Sequence, residues 1–312
     1  MESILLHGKD GTAMDSVDIS IVIPTYKRTE YLFSALDSIL DQDSCGLSYE
    51  VIVVNNNPED KMEEIIEKYA EQPVSFYSNK ENYGQVGNNN QGISKAKGEF
   101  VAFLHDDDML MPDYFRGIKA YLQDERISCL IMSQYDMYTD YKADYKRGFV
   151  RLLFCFRNLY KKDIREIRFQ DCLFAFRDIY NPPTCGTLFR RKDLLEFGGF
   201  RDERAAAWDY YNFREYNKQY RMFLLHKPLG IRRMFTGMSN NPRIQEEFEV
   251  DERILIAENQ DNWLIRNFGE SYMARKGWKY LLARIFRAVY LYATNLDGTR
   301  NISKQDFELF KD

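Results

Sequence analysis

Histidine and cysteine are scarce in this chain of 312 residues: three histidines, and five cysteines at Cys45, Cys129, Cys155, Cys172 and Cys185. The cysteines are odd in number and widely spaced, with no Cys-x-x-Cys pair, so neither a disulfide framework nor a zinc cluster is expected. Long hydrophobic runs are missing too. No stretch of about 18 uncharged apolar residues occurs, which removes a membrane-spanning helix from expectation. Residues 1–17 mix Glu2, Lys9, Asp10 and Asp15 with small residues and lack the apolar segment of a secretory leader, so a reducing, cytoplasmic setting is expected. A basic surplus is also lacking: 43 Lys and Arg stand against 48 Asp and Glu, a formal charge of −5, which argues against nucleic acid as a partner. Any anionic ligand must be captured locally. What remains is a soluble, globular balance of 45% hydrophobic and 29% charged residues. Its aromatic content of 15%, 22 Tyr and 22 Phe, exceeds what a core needs from rings that also stack on sugars.

From residue 18 onward short β-branched runs alternate with amphipathic segments. Asp18 to Ile23 reads as a strand stopped by Pro24, which cannot donate to a central ladder. Thr29 is a candidate N-cap for a helix to about Gln42, with Tyr31, Leu32, Ala35, Leu36, Ile39 and Leu40 at three- and four-residue spacing. Glu50 to Val54 is a second strand, closed by Asn55, Asn56, Asn57 and Pro58. There follow a helix over roughly 59–71, a short strand at Val74 to Tyr77, a Gly- and Asn-rich helix over 85–97 and a fourth strand at Glu99 to Leu104. Ile127 to Ser133 is a further strand candidate, residues 135–180 are crowded with Tyr, Phe, Arg and Lys, and beyond about 235 the pattern reads as wholly helical. The alternation predicts an α/β fold around a mostly parallel sheet with right-handed crossovers, and such sheets bind ligands beyond the carboxyl ends of their strands. Chemistry is therefore expected in the loops after residues 23, 54 and 104.

The last of these loops carries His105, Asp106, Asp107 and Asp108, followed by Met109, Leu110, Met111, Pro112 and Asp113. Three adjacent carboxylates repel one another unless a cation sits among them or water solvates them. An exposed acidic turn leading into a helix at Pro112 is the plainer reading. Position favours the other: hard oxygen ligands at a sheet's carboxyl edge suit Mg²⁺ or Mn²⁺, which takes its remaining ligands from water and phosphate.

Pro24-Thr25-Tyr26-Lys27-Arg28, Asn55-Asn56-Asn57, Asn82-x-Gly84 to Asn90-x-Gly92, and Gly98-Glu99 leading through Phe103-Leu104 to His105-Asp106-Asp107-Asp108 and Pro112-Asp113 resemble, in order and spacing, the inverting family-2 glycosyltransferases. A second match covers Gly186-Thr187-Leu188-Phe189-Arg190-Arg191, Gly198-Gly199-Phe200 and Trp208-Asp209. The resemblance implies a GT-A fold, a Rossmann-like, mostly parallel sheet with flanking helices over 18–235. Its nucleotide-sugar-binding half would be 18–115 and its acceptor and catalytic half 116–235, with an N-terminal tail at 1–17 and a helical C-terminal extension at 236–312. It further implies metal-dependent transfer, with inversion, from a nucleotide-diphosphate sugar, UDP-sugar favoured, to a glycan or lipid-linked glycan in cell-surface polysaccharide synthesis.

The resemblance also assigns roles. Pro24, Thr25 and Tyr26 would hold the nucleotide base, with Arg28 near the phosphates and Asn55, Asn82, Gly84 and Asn90 shaping the donor site. Asn56 stands where the family usually has an Asp contacting the base, and its added NH₂ donor loosens the expected base preference. Asp106 would contact the ribose, while Asp107 and Asp108 would hold Mn²⁺ or Mg²⁺. The family's usual acidic residue before them is here His105. Asp209 would be the base that takes the acceptor's proton. The acidic residue usual before it is replaced by Trp208, a ring suited to stacking on a sugar or to desolvating the carboxylate. No histidine follows Arg233, so Arg232 or Arg233 would supply counter-charge to acceptor or phosphate.

From Ser271 to Thr294 rings and aliphatics interleave with Arg275, Lys276, Lys279, Arg284 and Arg287 as a basic amphipathic helix. It suits peripheral contact with a membrane's inner face, or packing on the catalytic domain or in a homo-oligomer. Two other functions fit less well: a catalytically silent nucleotide-sugar-binding protein, in which Trp208 and Asn56 mark decay, and a nucleotidyltransferase, which would open with a Gly-rich, basic triphosphate loop instead of Pro24-Thr25-Tyr26.

Overall fold

The computed structural model describes residues 1–8, 16–138, 163–168, 184–203, 208–234, 242–261, 263–274, 276–280, 282 and 299–303. The chain opens not with a tail but with a strand, β1 (Ser3–His7), whose alternating burial marks it as a sheet edge. Residues 19–103 then follow the predicted alternation: β2 (Ile19–Thr25), α1 (Thr29–Leu40), β3 (Tyr49–Asn55), α2 (Glu63–Tyr69), β4 (Val74–Asn79), α3 (Gly84–Lys95) and β5 (Phe100–Phe103). Thr29 is the first residue of α1, not its cap, and Arg28 precedes it without a capping side chain. β2 runs through Pro24 because β5 stops pairing at Val22, so the missing N–H falls where one neighbour has already left.

The second half adds β6 (Met109–Leu110), α4 (Tyr114–Leu122), β7 (Cys129–Tyr138), β8 (Ile164–Ile167), β9 (Thr187–Arg190), α5 (Arg191–Phe197), α6 (Trp208–Asn217) and β10 (Met222–Arg233). Two helices, α7 (Pro242–Glu258) and α8 (Trp263–Met273), meet the expectation of a helical C-terminal region. That region is not wholly helical: β11 (Thr299–Ser303) returns to pair in parallel with β7. Of the predicted amphipathic helix over 271–294, residues 275, 281 and 283–294 lie outside the described residues, as does most of the aromatic segment 135–180.

All the strands share one sheet in the order β1-β4-β3-β2-β5-β9-β7-β10-β6, with β11 added to β7 and β8 to β10. Pairing is parallel among β2, β3, β4 and β5 and between β7 and β10, and antiparallel through β9, which joins the two parallel sets. Alternate residues of each strand face opposite sides. Ile21 and Ile23 join α1, α2 and α4 in one core, whereas Val22 joins α3, α5 and α6 in the other. The result is a three-layer α/β/α body, and its closest approach is glycine-dependent: a Cβ on Gly92 of α3 would lie 2.2 Å from Val22 Cγ1. Gly92 thus has a packing role, whereas Gly84, at φ 70° at the start of the helix, has nothing within 4 Å of where a Cβ would stand.

Candidate active site

The carboxyl ends of β2, β3 and β5 bring three loops to one edge, as parallel topology requires. After β2, Thr25 is buried and its hydroxyl donates to Asp106 Oδ2 at 2.9 Å. Lys27 adopts φ 57°, a left-handed turn uncommon outside glycine, and its N–H donates to Asp60 Oδ2 at 3.0 Å. Beyond that turn Arg28 reaches two carboxylates, Asp106 Oδ1 at 2.6 Å and Asp107 Oδ2 at 2.7 Å. The Tyr26 ring is the exposed surface of this loop.

The loop after β3 is an amide lattice. Asn55 closes a tight turn on Asn57 through both side-chain atoms, donating at 2.7 Å and accepting at 3.1 Å. Asn56 donates to Asn82 Oδ1 at 2.7 Å and to Gly84 O at 3.1 Å, and its oxygen accepts from Asn79 at 2.9 Å and from the Tyr83 N–H at 3.0 Å. The expected base contact by Asn56 is therefore corrected: its donors and its oxygen are engaged within the protein, and it holds the wall instead of reading a base. Asn88 extends the lattice, accepting from Asn79 and donating to the carbonyls of Thr25 and Val54. Asn90, assigned to the donor, instead clamps Phe200 through its backbone N–H and carbonyl at 2.9 and 2.8 Å. Asn79 and Asn88 went unnoticed in the sequence, although buried asparagines on an otherwise packed strand and helix are a readable signal.

After β5 comes buried charge. Asp106, Asp107 and Asp108 are 1%, 5% and 2% exposed, so the exposed acidic turn is excluded. Burial pushes Asp106 up to about 6, with Arg28 pulling the other way, and raises Asp108 well above the carboxylate range, helped by Asp107. Asp108 Oδ1 accepts the Arg233 N–H at 3.1 Å, while its buried Oδ2 has no hydrogen-bond partner. His105 belongs here too: Nδ1 stands 3.7 Å from Asp108 Oδ2, and burial lowers the imidazole's pKa. One donor atom from each of His105, Asp107 and Asp108 lies within 4.8 Å of the others, a set able to hold a divalent cation.

The opposite wall comes from α6 and β10. Asp209 sits in the first turn of α6, accepts the Tyr210 N–H at 2.7 Å, and has its pKa raised by burial against the opposing pull of that N–H, His105 and Arg232. It shares a pocket with His105, Asn89, Thr184 and the rings of Phe103 and Phe200. Trp208 packs edge-on against Phe200 at 5.4 Å and is 7% exposed, so its ring belongs to the core and desolvates its neighbour instead of presenting a face for stacking. Arg232 is gripped by Asp136 through two bonds of 2.9 and 2.7 Å, a partner placed directly opposite by the parallel register of β7 and β10. Arg233 turns toward Tyr31, 5.5 Å from its ring centroid.

A family model described as Glycosyl transferase family 2 matches residues 20–194. Among curated relatives, the GalNAc(5)-diNAcBac-PP-undecaprenol beta-1,3-glucosyltransferase of Campylobacter jejuni is 36% identical over 97 residues, 30% of either chain. Other curated relatives are matched over less than half of their own length, between 29% and 42%. Among solved structures, S. aureus TarS 1-349 in complex with UDP-GlcNAc superposes with a TM-score of 0.58 at 19% identity, covering 89% of this chain and 82% of that one. The mannosyltransferase PcManGT from Pyrobaculum calidifontis, in complex with GDP-Man and Mn²⁺, gives 0.55 at 17%, covering 94% and 78%. These likenesses establish a shared fold.

Proposed function

The chain belongs to glycosyl transferase family 2 and has its GT-A fold, and from that premise we propose that it transfers a sugar, with inversion and with a divalent cation's help, from a nucleotide-diphosphate donor to a glycan or lipid-linked glycan. A UDP-sugar is the favoured donor and cell-surface polysaccharide synthesis the favoured setting. The observation that supports this best is the meeting of Asp209 with His105, the residue that opens the acidic run, in one pocket.

In such a transfer the acceptor oxygen attacks the anomeric carbon while that carbon's bond to the diphosphate breaks, and the hydroxyl proton must leave as the new bond forms. Asp209 takes it, and burial makes its carboxylate a stronger base than an exposed one. Arg28, Arg232 and Arg233 lend positive charge to the departing diphosphate. Asp106, expected at the ribose, is buried with its oxygens held by Arg28 and Thr25, and so positions Arg28 instead. Asp107 and Asp108 would hold Mn²⁺ or Mg²⁺, whose charge neutralises the diphosphate when bound. Tyr26 and the backbone at Pro24 and Thr25 offer the base its surface, and Asn55, Asn56, Asn82 and Gly84 keep that surface in place.

Attachment to the cytoplasmic face of a membrane through 271–294 belongs to the same proposal. Trp263 and Trp278 are 58% and 67% exposed, as suits a ring at a lipid interface, and no helix among the described residues is long and apolar enough to cross a membrane. Flotation with anionic liposomes should fail once residues 271–312 are removed. Retained flotation returns the segment to packing or self-association.

Thermal-shift measurements against UDP-, GDP- and TDP-sugars with Mn²⁺ test the donor, because a specific ligand stabilises the native state by mass action. A UDP-sugar should raise the melting temperature most and should be slowly hydrolysed. Stabilisation without any turnover would make the chain a silent nucleotide-sugar-binding protein.

A further inference from the structure

We propose that His105 is a metal ligand through Nδ1, making the centre a mixed nitrogen and oxygen site that selects a first-row transition ion over Mg²⁺. The inference rests on the divalent-ion reading above and adds the ligand that decides which ion is held.

Geometry carries it. The His105 Nδ1 to Asp108 Oδ2 separation of 3.7 Å is too long for a hydrogen bond. It is close to the spacing of two ligands on one ion, since donors at about 2.1 Å from a shared centre stand about 3–3.5 Å apart. Asp108 cannot simply turn away, because Oδ1 is tied to the Arg233 N–H and Oδ2 is left buried and unpartnered on the His105 side. Asp107 completes the set within 4.8 Å, and its Oδ2 also meets Arg28 at 2.7 Å.

Charge explains why a histidine can stand where the resemblance leads one to expect an acid. Asp106, Asp107 and Asp108 are already buried side by side, with Arg28 bridging the first two. A fourth carboxylate would add repulsion, whereas a neutral imidazole contributes a lone pair at no charge. It also changes the site's preference. Mg²⁺ dehydrates reluctantly and favours oxygen donors, while an imidazole strengthens binding of first-row transition ions in the Irving–Williams order.

The test uses the full chain with Mn²⁺ and inorganic pyrophosphate, a diphosphate probe that contains no nitrogen. Pulsed electron paramagnetic resonance of bound Mn²⁺ should show nitrogen coupling, lost in His105→Asp. Competition should show Mn²⁺ preferred over Mg²⁺ by about tenfold or more, a ratio that falls toward unity in His105→Asp while binding itself survives. His105→Asn, close in volume, should also lose the preference. Absence of nitrogen coupling in the wild type, or an unchanged ion preference in both variants, overturns the ligand role and leaves the transferase reading intact. Failure of the wild type to bind any divalent ion, with or without pyrophosphate, overturns the metal part of that reading as well.

Discussion

Two polar walls at the sheet's carboxyl edge are built by opposite means. One, formed by Asn55, Asn56, Asn79, Asn82 and Asn88, is neutral, and its amides bond largely to one another and to backbone. The wall formed by the three aspartates and His105, with Asp209 across from it, is charged, and Asp108 Oδ2 is buried in it without a hydrogen bond. An amide lattice, in which Asn79 Oδ1 is the buried oxygen left without a hydrogen bond, fixes shape. A desolvated cluster of carboxylates stores electrostatic free energy that a bound cation or an arriving proton can release.

The sharpest way to break this comparison is Asp209→Asn. Transfer should fall on the order of 10²–10⁴-fold in kcat, because the base is lost while the amide keeps the shape. Melting temperature should hold or rise, since a carboxylate with a burial-raised pKa is removed. Loss of both activity and stability would mean the charged wall is a structural one. In wild type the acid limb of the rate profile should lie above the ordinary carboxylate range, with activity climbing as pH rises through it.

On the neutral wall the pattern should invert. Asn88→Ala strips bonds to the Thr25 and Val54 carbonyls and to Asn79, and should cost about 2–4 kcal/mol of stability in denaturant melts. Donor affinity should fall with it. A variant as stable as wild type would show that the lattice does not hold these loops.

Asp106 links the two walls, and its titration gives a smaller effect. Its pKa is raised to about 6 in the folded chain from 3.8, so the native state binds more protons than the unfolded one between those values. Stability is then greatest below the unfolded value and declines as pH rises to about 6, by up to ~3 kcal/mol. In chelator, Asp106→Asn should lose this fall, measured as the difference between the two proteins' melts at pH 4.5 and pH 7. A constant difference would deny the shift. Smallest of all is Lys27→Gly: relief of the left-handed φ offsets the added chain entropy, leaving stability within about 0.5 kcal/mol, measured in urea.

Legibility in the sequence followed the range of the interactions. β2, β3 and β5 could be read because their apolar runs and closing turns are local, and the loops that follow them were located by topology. The three aspartates stood out because they fall in one of those loops, whereas Asp209, in the first turn of α6, was singled out only by the family resemblance. β1 and β11 were not, since each is short and its strand identity comes only from a partner far away in the chain. The Asp136 grip on Arg232 spans two strands and leaves no local trace. Asn56 misled for the same reason: its neighbours in sequence suggest a ligand contact, and its partners in space at Asn79, Asn82 and Tyr83 consume it.

β11 also governs when the site is finished. It lies against Gln134 to Tyr138, the stretch of β7 that carries Asp136. During synthesis that stretch is paired on this side only once Thr299–Ser303 have emerged, long after residues 19–103. The loop between β7 and β11 then has its closure entropy to meet, so a nascent chain would hold the loops after β2, β3 and β5 while the Asp136 support of Arg232 is still open on one side. A chain clipped before Thr299 would lack that layer of support for Arg232.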